Sequence, residues 1–479
     1  MSNIGRYIRT LRHLRVSQLS GQVMTRARKL WRDPAVMLAA VPAEWKLGKV
    51  EFYCELGPPA LAQNPEDLAV GTFCFINQKV ELGSPVDWDV KDVPRLWSYN
   101  LHYFDWIWSL LGQNDLKWEA AKKLTIDWIE NHSPTKNPGG WEPYPVSLRL
   151  INWALLYGVK CRERVAQDAD FELLLLESVA RQVRWLELNL ETHIQANHLL
   201  ENLVSLVCVS SVFTGDEAQR VFRRYMPMLE RELKEQVLAD GMHYERSPMY
   251  HMRVLWLVQV LEAVLPSQQR EELKVVDLRM AMSTALAELR HPDGEISLFN
   301  DAVCGIYQDN WQSELASAGG WSLSEAGYYG YRSDDGHYLV VDAGAVGPDY
   351  QPGHAHADYL SFELSMHGQR LITDTGVGTY NAGDRRSYDR STAAHSTVEV
   401  AGENSAEVWG GFRVGRRVVP TVKSYVNGEN FELVAEHAGY QWLPSRVIHQ
   451  RSFIWRDQTL EITDTLRARS SVEAVSRLH

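Results

Sequence analysis

Cysteine is scarce: Cys54, Cys74, Cys161, Cys208 and Cys304 are the five in 479 residues, odd in number, widely spaced and without a Cys-x-x-Cys pair. Such a set supports neither a disulfide scaffold nor a thiolate zinc site. No run approaches about 18 uninterrupted apolar residues, so no transmembrane helix is expected. Net positive charge is also missing. Lys and Arg total 49 against 61 Asp and Glu, a net charge of −12, which excludes a general nucleic-acid binder. Internal repeats and low-complexity tracts are absent. What remains is an ordinary globular balance, 45% hydrophobic and 23% charged. At roughly 100–200 residues per domain, the length suits two to four domains. Seventeen Trp and 20 Tyr are many; core packing is their commoner use and sugar stacking another.

Residues 1–33 run against the overall charge. They carry Arg6, Arg9, Arg12, Arg15, Arg26, Arg28, Lys29 and Arg32 against Asp33 alone. Ile4, Ile8, Leu11, Leu14 and Leu19 recur at roughly helical spacing. This predicts a basic amphipathic helix, either packed on a domain edge with its charges in water or lying on a membrane surface or anionic partner. Arg interrupts every candidate for the apolar core of a signal peptide. With no signal peptide visible, a cytoplasmic location is the default expectation, and a periplasmic one stays open.

A mixed segment punctuated by Pro and Gly follows, completing a leader over residues 1–95. From about 97 to 290 the apolar spacing is helical. Helices are predicted over 101–111, 116–129, 146–159, 171–188, 197–213, 216–237, 248–264 and 270–289. Their links are short and carry breakers such as Pro134, Pro138, Gly139, Gly140 and Gly215. Consecutive helices with short links fold as antiparallel pairs, and a run of pairs makes a toroid or solenoid. After about residue 325 the period shortens to two. Strands are predicted over 338–341, 360–365, 396–400, 431–435, 447–455, 460–463 and 472–478, separated by turns such as Asp334-Asp335-Gly336 and Asn427-Gly428. Helices followed by strands imply segregated layers. The fold class is therefore multidomain α+β, an N-terminal (α/α) toroid over 96–320 followed by a C-terminal antiparallel β-sandwich over 321–479, with the last strand leaving open whether the sandwich is complete.

The densest chemical cluster is Gly353-His354-Ala355-His356-Ala357-Asp358. On an extended segment His354 and His356 share a face, where both imidazoles can serve one metal, or one can ligate while the other transfers protons. A lone His-x-His is a weak signal. Asp374, at a strand end running into Gly376, and His395, just before a strand, strengthen it. Two His and one Asp (His356, Asp374, His395) form a zinc-type set with an open fourth position. The plainer alternative is that Asp374 and His395 only form strand-end hydrogen bonds. A second cluster, Gln195-Ala196-Asn197-His198-Leu199-Leu200-Glu201-Asn202, interrupts an apolar helix with polar residues that need partners. Glu245-Arg246-Ser247-Pro248-Met249-Tyr250 opens another helix, with Ser247 as N-cap and Pro248 at the first helical position. Tyr250 falls in its first turn, where a packing role is the commoner one. Arg385, Arg386 and Arg390 precede His395, and Arg413, Arg416 and Arg417 lie in the acid-free, glycine-rich stretch 409–417. That stretch is either a loop clamping sugar carboxylates or sulfates, or an ordinary basic hairpin.

At these residues the chain resembles the heparinase II/III family of polysaccharide lyases. The likeness runs from about Trp97 to the end and is strongest over 353–358, 371–376 and 386–400, with support from 197–202 and 245–250. Segments 101–105 and 141–145 also resemble toroid segments of such proteins. The resemblance implies a toroid and a sandwich. It implies Asn197 as the group that neutralises a uronate carboxylate, with His198 adjacent. It implies Tyr250 and His354 as proton-transfer residues, and His356, Asp374 and His395 as ligands of a Zn2+ that is most simply structural, another divalent ion remaining open. His198, Glu201, Trp141, Tyr144, Arg386, Arg390 and Arg413 are the expected substrate-binding residues. The implied activity is β-elimination on an anionic, uronic-acid-containing polysaccharide, as in bacterial exopolysaccharide, capsule or O-antigen metabolism. Two other readings stay open: a glycoside hydrolase using carboxylates among Glu142, Glu201 and Glu245, and a non-catalytic glycan-binding or assembly protein. An amidohydrolase is disfavoured, because its His-x-His sits on an early barrel strand.

Overall fold

The computed structural model describes residues 3–31, 45–48, 56–110, 115–134, 139–307, 316–428, 430–456 and 458–479. Of the predicted features, Cys54, Pro138, residue 111 and the side chains of Arg28, Lys29, Arg32 and Asp33 lie outside the described residues. The chain divides into two compact units. One comprises Val16–Leu233 and Trp256–Val276; the other comprises Met1–Arg15, Lys234–Leu255 and Asp277–His479.

The first unit is helical. Its helix Pro143–Trp153 packs against helices Arg95–Tyr103, Ala169–Leu188 and Ala196–Val212. The tryptophans answer their own question here, because Trp97, Trp106, Trp128 and Trp153 are fully buried. Phe104 sits among Trp106, Trp128 and Trp153 at ring separations of 4.9, 5.9 and 5.4 Å. Three predicted helices are interrupted, the one over 270–289 splitting into Ser267–Glu272 and Val275–Glu288 at Lys274, whose φ is 51°. The segment over 101–111 becomes helix Arg95–Tyr103 and a tighter 3-10 turn Asp105–Leu110, broken where Phe104 turns left-handed to place its ring in that cluster. The segment over 146–159 widens into a π-helix, Ala154–Lys160.

In the other unit, strands Gly319–Leu323, Tyr328–Arg332, Tyr338–Asp342, Phe362–Met366 and Gln369–Ile372 form one antiparallel sheet in sequence order. Strands Thr421–Val426, Phe431–His437, Ile448–Arg456 and Thr459–Arg467 form a second. Tyr329, Leu339, Val341, Phe362 and Leu364 meet Phe431, Leu433, Phe453 and Trp455 between the sheets, giving the expected sandwich. The first sheet is buried on its other face as well. Trp321, Tyr328, Tyr338 and Val340 pack on Met242, Ala285, Leu289 and Phe299. Those helical and loop residues therefore belong with the strands, not with the helices that precede them in sequence. The predicted terminal strand forms over Ala474–Ser476 and pairs with Val398–Val400.

The N-terminal helix Asn3–Leu11 is pinned by its polar side. Arg9 donates two hydrogen bonds to Glu407, at 2.7 and 2.6 Å. The Trp409 indole N–H donates to Thr10 Oγ1 at 3.1 Å, and Tyr7 meets the Trp409 ring edge-on. Burial alone would raise the Glu407 carboxyl, but Arg9 and the Arg416 backbone N–H hold it down at about 2. Since the folded value lies below the ordinary 4.5, this contribution is present above about pH 4.5 and is lost as pH falls through about 2. Glu407→Gln should therefore raise amide exchange over residues 3–11 at neutral pH, as acidification does for the native chain, with little change in melting temperature. Equal protection of this helix in both proteins would contradict the pinning.

Candidate active site

The site in the strand-bearing unit is built on a turn. Asn300 adopts a left-handed φ of 58°, and Asn300-Asp301 reaches toward two separate segments. Ser247 Oγ donates to the Asp301 carbonyl at 2.7 Å while Ser247 precedes helix Pro248–Val264. The Asp301 N–H donates to the His354 carbonyl at 3.1 Å, and the His356 N–H donates to Asn300 Oδ1, also at 3.1 Å. The turn thus brings Tyr250, on the first turn of that helix, together with the 353–358 loop.

Side chains repeat the pattern. The fully buried Asp301 carboxylate is bonded to His354 Nδ1 and to His356 Nε2, both at 2.9 Å, and accepts both terminal nitrogens of Arg386. Burial would raise this carboxyl; the bonds from His354, His356 and Arg386 hold it well below the usual carboxylate range. His354 therefore points Nε2 away from Asp301, toward Glu245 Oε2 at 3.3 Å. Its ring stacks on Tyr250, with centroids 3.8 Å apart and planes 27° apart. Tyr380 and Phe412 present edge-on contacts to the same imidazole, and the Tyr250 hydroxyl donates to the Tyr380 hydroxyl at 3.3 Å. Phe412 is half exposed. Tyr250 and His354 are thus adjacent and His354 is partly open to solvent, an arrangement suited to moving protons at a bound molecule.

His356 faces the opposite way. With Nε2 engaged by Asp301, its Nδ1 is buried without a hydrogen-bond partner, as are Asp358 Oδ2 and His395 Nε2. His356, Asp358 and His395 each offer a ligand atom, and these lie within 4.8 Å of one another. A nitrogen–oxygen–nitrogen set of otherwise unsatisfied buried atoms fits a divalent cation. Like-charge crowding points the same way. Burial, helped by Asp374, raises the Asp358 carboxyl, and burial, helped by Asp358, raises that of Asp342 well above its ordinary value. Asp374, expected as a ligand, instead holds His395 Nδ1 at 2.7 Å from the far side of the ring, while its other oxygen accepts the Gly376 N–H. Asp358, not Asp374, offers the oxygen of this set, and Asp374 braces the His395 ring from behind, the place outer carboxylates take for metal-bound histidines.

In the helical unit, Gln195 and Ala196 both have positive φ, 64° and 51°, at the start of helix Ala196–Val212. Two strained non-glycine residues in succession fix where Asn197 and His198 emerge. Asn197 is buried. His198 Nδ1 lies 3.0 Å from Glu191 Oε1, its ring meets Tyr144 at 4.6 Å, and Tyr144 donates to Glu201 Oε1 at 2.7 Å. Asn202 secures Glu191 by accepting its N–H and donating to its carboxylate. His198, Tyr144 and Glu201 thus lie in one polar cluster of that unit, and Asn197 precedes His198 in the chain.

Three expected substrate-binding residues serve other ends. Trp141 is buried against Trp128 and Trp185 and is a packing residue. Arg390 is buried and donates to the carbonyls of Ala355, Gly410 and Arg413. Arg386 is buried on Asp301 and on the Gly411 carbonyl. Arg413 is exposed and lies over the Trp409 ring at 4.8 Å. Asp301, Asp358, Glu191, Tyr380 and Phe412 were not singled out from sequence. Asp358 closed the quoted histidine motif and was the legible one; Asp301 carried no motif at all.

The ligand geometry has a direct check. Asp358→Asn should abolish stoichiometric uptake of a divalent metal, measured by elemental analysis after reconstitution. Asp374→Asn should weaken uptake by about 10–100-fold and lower thermal stability. Full uptake by the first variant with none by the second would return Asp374 to the ligand position.

Two family models match the chain in succession. The heparinase II/III N-terminus matches residues 66–317, and the heparinase II/III-like C-terminal domain matches residues 316–479. A heparin-sulfate lyase of Pedobacter heparinus is 26% identical over 369 residues, 66% of this chain and 53% of that protein. FtsZ-localized protein C of Caulobacter vibrioides is 27% identical over 330 residues, 68% of this chain and 56% of that protein. The chain spans about half the length of these curated relatives. Among solved structures, heparinase III matches with a TM-score of 0.64 at 17% identity, over 91% of this chain and 71% of that one. Heparan sulfate lyase HepC from Pedobacter heparinus matches at 0.57 and 19%, over 95% and 74%. These structures show the fold, the helical toroid and antiparallel sandwich expected from the sequence. With both family domains matched in order along most of its length, the chain belongs to the heparinase II/III family.

Proposed function

We propose that the protein is a polysaccharide lyase that cleaves a uronic-acid-containing anionic polysaccharide by β-elimination. The observation that carries this reading is the Tyr250–His354 stack, with His354 held between Asp301 and Glu245. β-Elimination removes the C5 proton of a uronate and expels the oxygen at C4. The C5 proton is weakly acidic because the adjacent carboxylate is already negative, so the enolate-like dianion that forms must be met by donors. The family resemblance gives this role to Asn197, whose amide is a donor. Tyr250 and His354 between them supply the base near C5 and the acid near O4, in either order. Asp301 and Glu245 flank the His354 ring and set its orientation without needing to touch the sugar.

The ion at His356, Asp358 and His395 is Zn2+ on this reading and structural in role. Bound, it would neutralise the crowded carboxylates and tie the 353–358 loop to the segment carrying His395. Substrates fit the setting of bacterial exopolysaccharide, capsule or O-antigen. Against a glycoside hydrolase, Glu142 is ion-paired with Arg95 at 2.7 Å and Glu201 accepts from Tyr144, so neither is set up as one of two opposed carboxylates. The similarity to FtsZ-localized protein C favours one second reading, a non-catalytic glycan-binding or assembly protein.

The test is a panel of uronic-acid polysaccharides followed by ultraviolet absorbance, the signature of an unsaturated uronate. A lyase raises it, a hydrolase gives reducing ends without it, and a binder gives neither. On the substrate found, Tyr250→Phe should lower turnover by on the order of 10²–10⁴ while leaving substrate binding and melting temperature nearly unchanged. Near-normal turnover would return Tyr250 to packing.

A further inference from the structure

The N-terminal helix Asn3–Leu11 is docked the wrong way round for an ordinary amphipathic helix. Such a helix buries its apolar stripe and leaves charge in water. Here the side bearing Arg6, Arg9 and Thr10 faces the protein, bonded to Glu407 and Trp409. The opposite side carries Ile4, Ile8 and Leu11, which the i, i+4, i+7 spacing aligns along one line. They are 71%, 61% and 50% exposed. Burying this stripe would have been cheaper than pinning the polar side, so the outward stripe calls for an occupant.

The following helix, Val16–Trp31, repeats the pattern by itself. Val16, Leu19 and Val23 fall on one line at i, i+3 and i+7 and are 81%, 44% and 68% exposed. Charge identifies the occupant. Residues 3–31 hold seven basic residues and no acid, within a chain of net charge −12; Arg6 and Arg9 pair with Glu407 and Arg15 with Glu235, while Arg12 and Arg26 are exposed. If a second copy of the chain covered the stripes symmetrically, the exposed Arg12 and Arg26 would meet their own counterparts at the contact. An anionic lipid surface takes both features at once, the apolar stripes at the acyl boundary and the exposed Arg12 and Arg26 among the headgroups.

We propose that helices Asn3–Leu11 and Val16–Trp31 are each membrane-surface elements that hold the protein peripherally on bilayers containing anionic lipid. The Arg9–Glu407 pair keeps the stripe of the first helix outward before any membrane is met, so little ordering is needed on binding. Neither helix crosses the bilayer; among the described residues no helix is long and apolar enough to do so. The proposal is independent of the lyase reading, since none of these residues belongs to the candidate active site.

The test is co-sedimentation of the full chain with vesicles of mixed phosphatidylglycerol and phosphatidylcholine, and with phosphatidylcholine alone. Binding should be strong on the mixed vesicles, weak on the neutral ones, and reduced by salt. Ile8→Asp should lower binding to the mixed vesicles roughly tenfold or more, and Arg12→Glu should lower it less. Ile8 and Arg12 are exposed, so both variants should keep the native melting temperature, which is measured alongside. No sedimentation of the native chain with mixed vesicles would overturn the proposal, as would binding unaffected by Ile8→Asp. A dimer in solution that Ile8→Asp dissociates, with no vesicle binding, would assign the stripe to a second copy and overturn it equally.

Discussion

The strand-bearing unit depends on one buried carboxylate. Asp301 is fully enclosed, and a charge in such a place persists only if every lone pair is used. Two histidines and a bidentate arginine use them. One charge thereby decides the roles of both histidines. Bonded to Nδ1 of His354, it turns the remaining nitrogen toward Glu245; bonded to Nε2 of His356, it turns the remaining nitrogen toward Asp358 and His395. Neighbours two residues apart thus face different surroundings, according to which ring nitrogen each gives to Asp301. Removing a partner from such a buried pair typically costs about 3–5 kcal/mol, so the arrangement is as much structural as functional.

The scaffold explains how distant segments reach that carboxylate. Because strand Tyr338–Asp342 is buried on both faces, residues before the sandwich in sequence pack against its outer side. That draws Glu245, Ser247 and Tyr250 into the same compact unit as His354. The Asn300-Asp301 turn then bonds by backbone and side chain to the 247 and 354–356 segments, and Arg386 reaches in to complete the set. Arg386 is held by Asp301 and the Gly411 carbonyl and lies over the rings of Tyr380 and Phe412. The glycine-rich loop that looked like a sugar clamp therefore supplies backbone acceptors to Arg386 and Arg390 as well as the half-exposed Phe412.

Much of this was legible before any coordinates. Helical and two-residue periodicity gave the order of helices and strands, and helix Pro248–Val264 begins where Ser247-Pro248 said it would. The histidine motif and the helix carrying Asn197 stood out because polar residues there break apolar patterns. What stayed hidden was long-range. Asp301 is 53 residues from His354 and 85 from Arg386, with no spacing rule to connect them. Spacing also pointed to Asp374 as a ligand, because it cannot tell a carboxylate that faces a cation from one that braces the histidine behind it. The resemblance gives Trp141, Arg386 and Arg390 as substrate-binding residues, whereas burial, a property of the whole fold, makes them internal.

The central claim is that Asp301 sets His354 to proton transfer and His356 to the metal. Metal content, melting temperature and turnover, measured side by side on His354→Ala and His356→Ala in one buffer, test it most directly. The account predicts that His354→Ala keeps its metal and most of its stability but loses activity. His356→Ala should lose metal, stability and activity together, because the loop carrying His354 loses its tether. If His354→Ala also empties the metal site, the two histidines share one role and the division is contradicted.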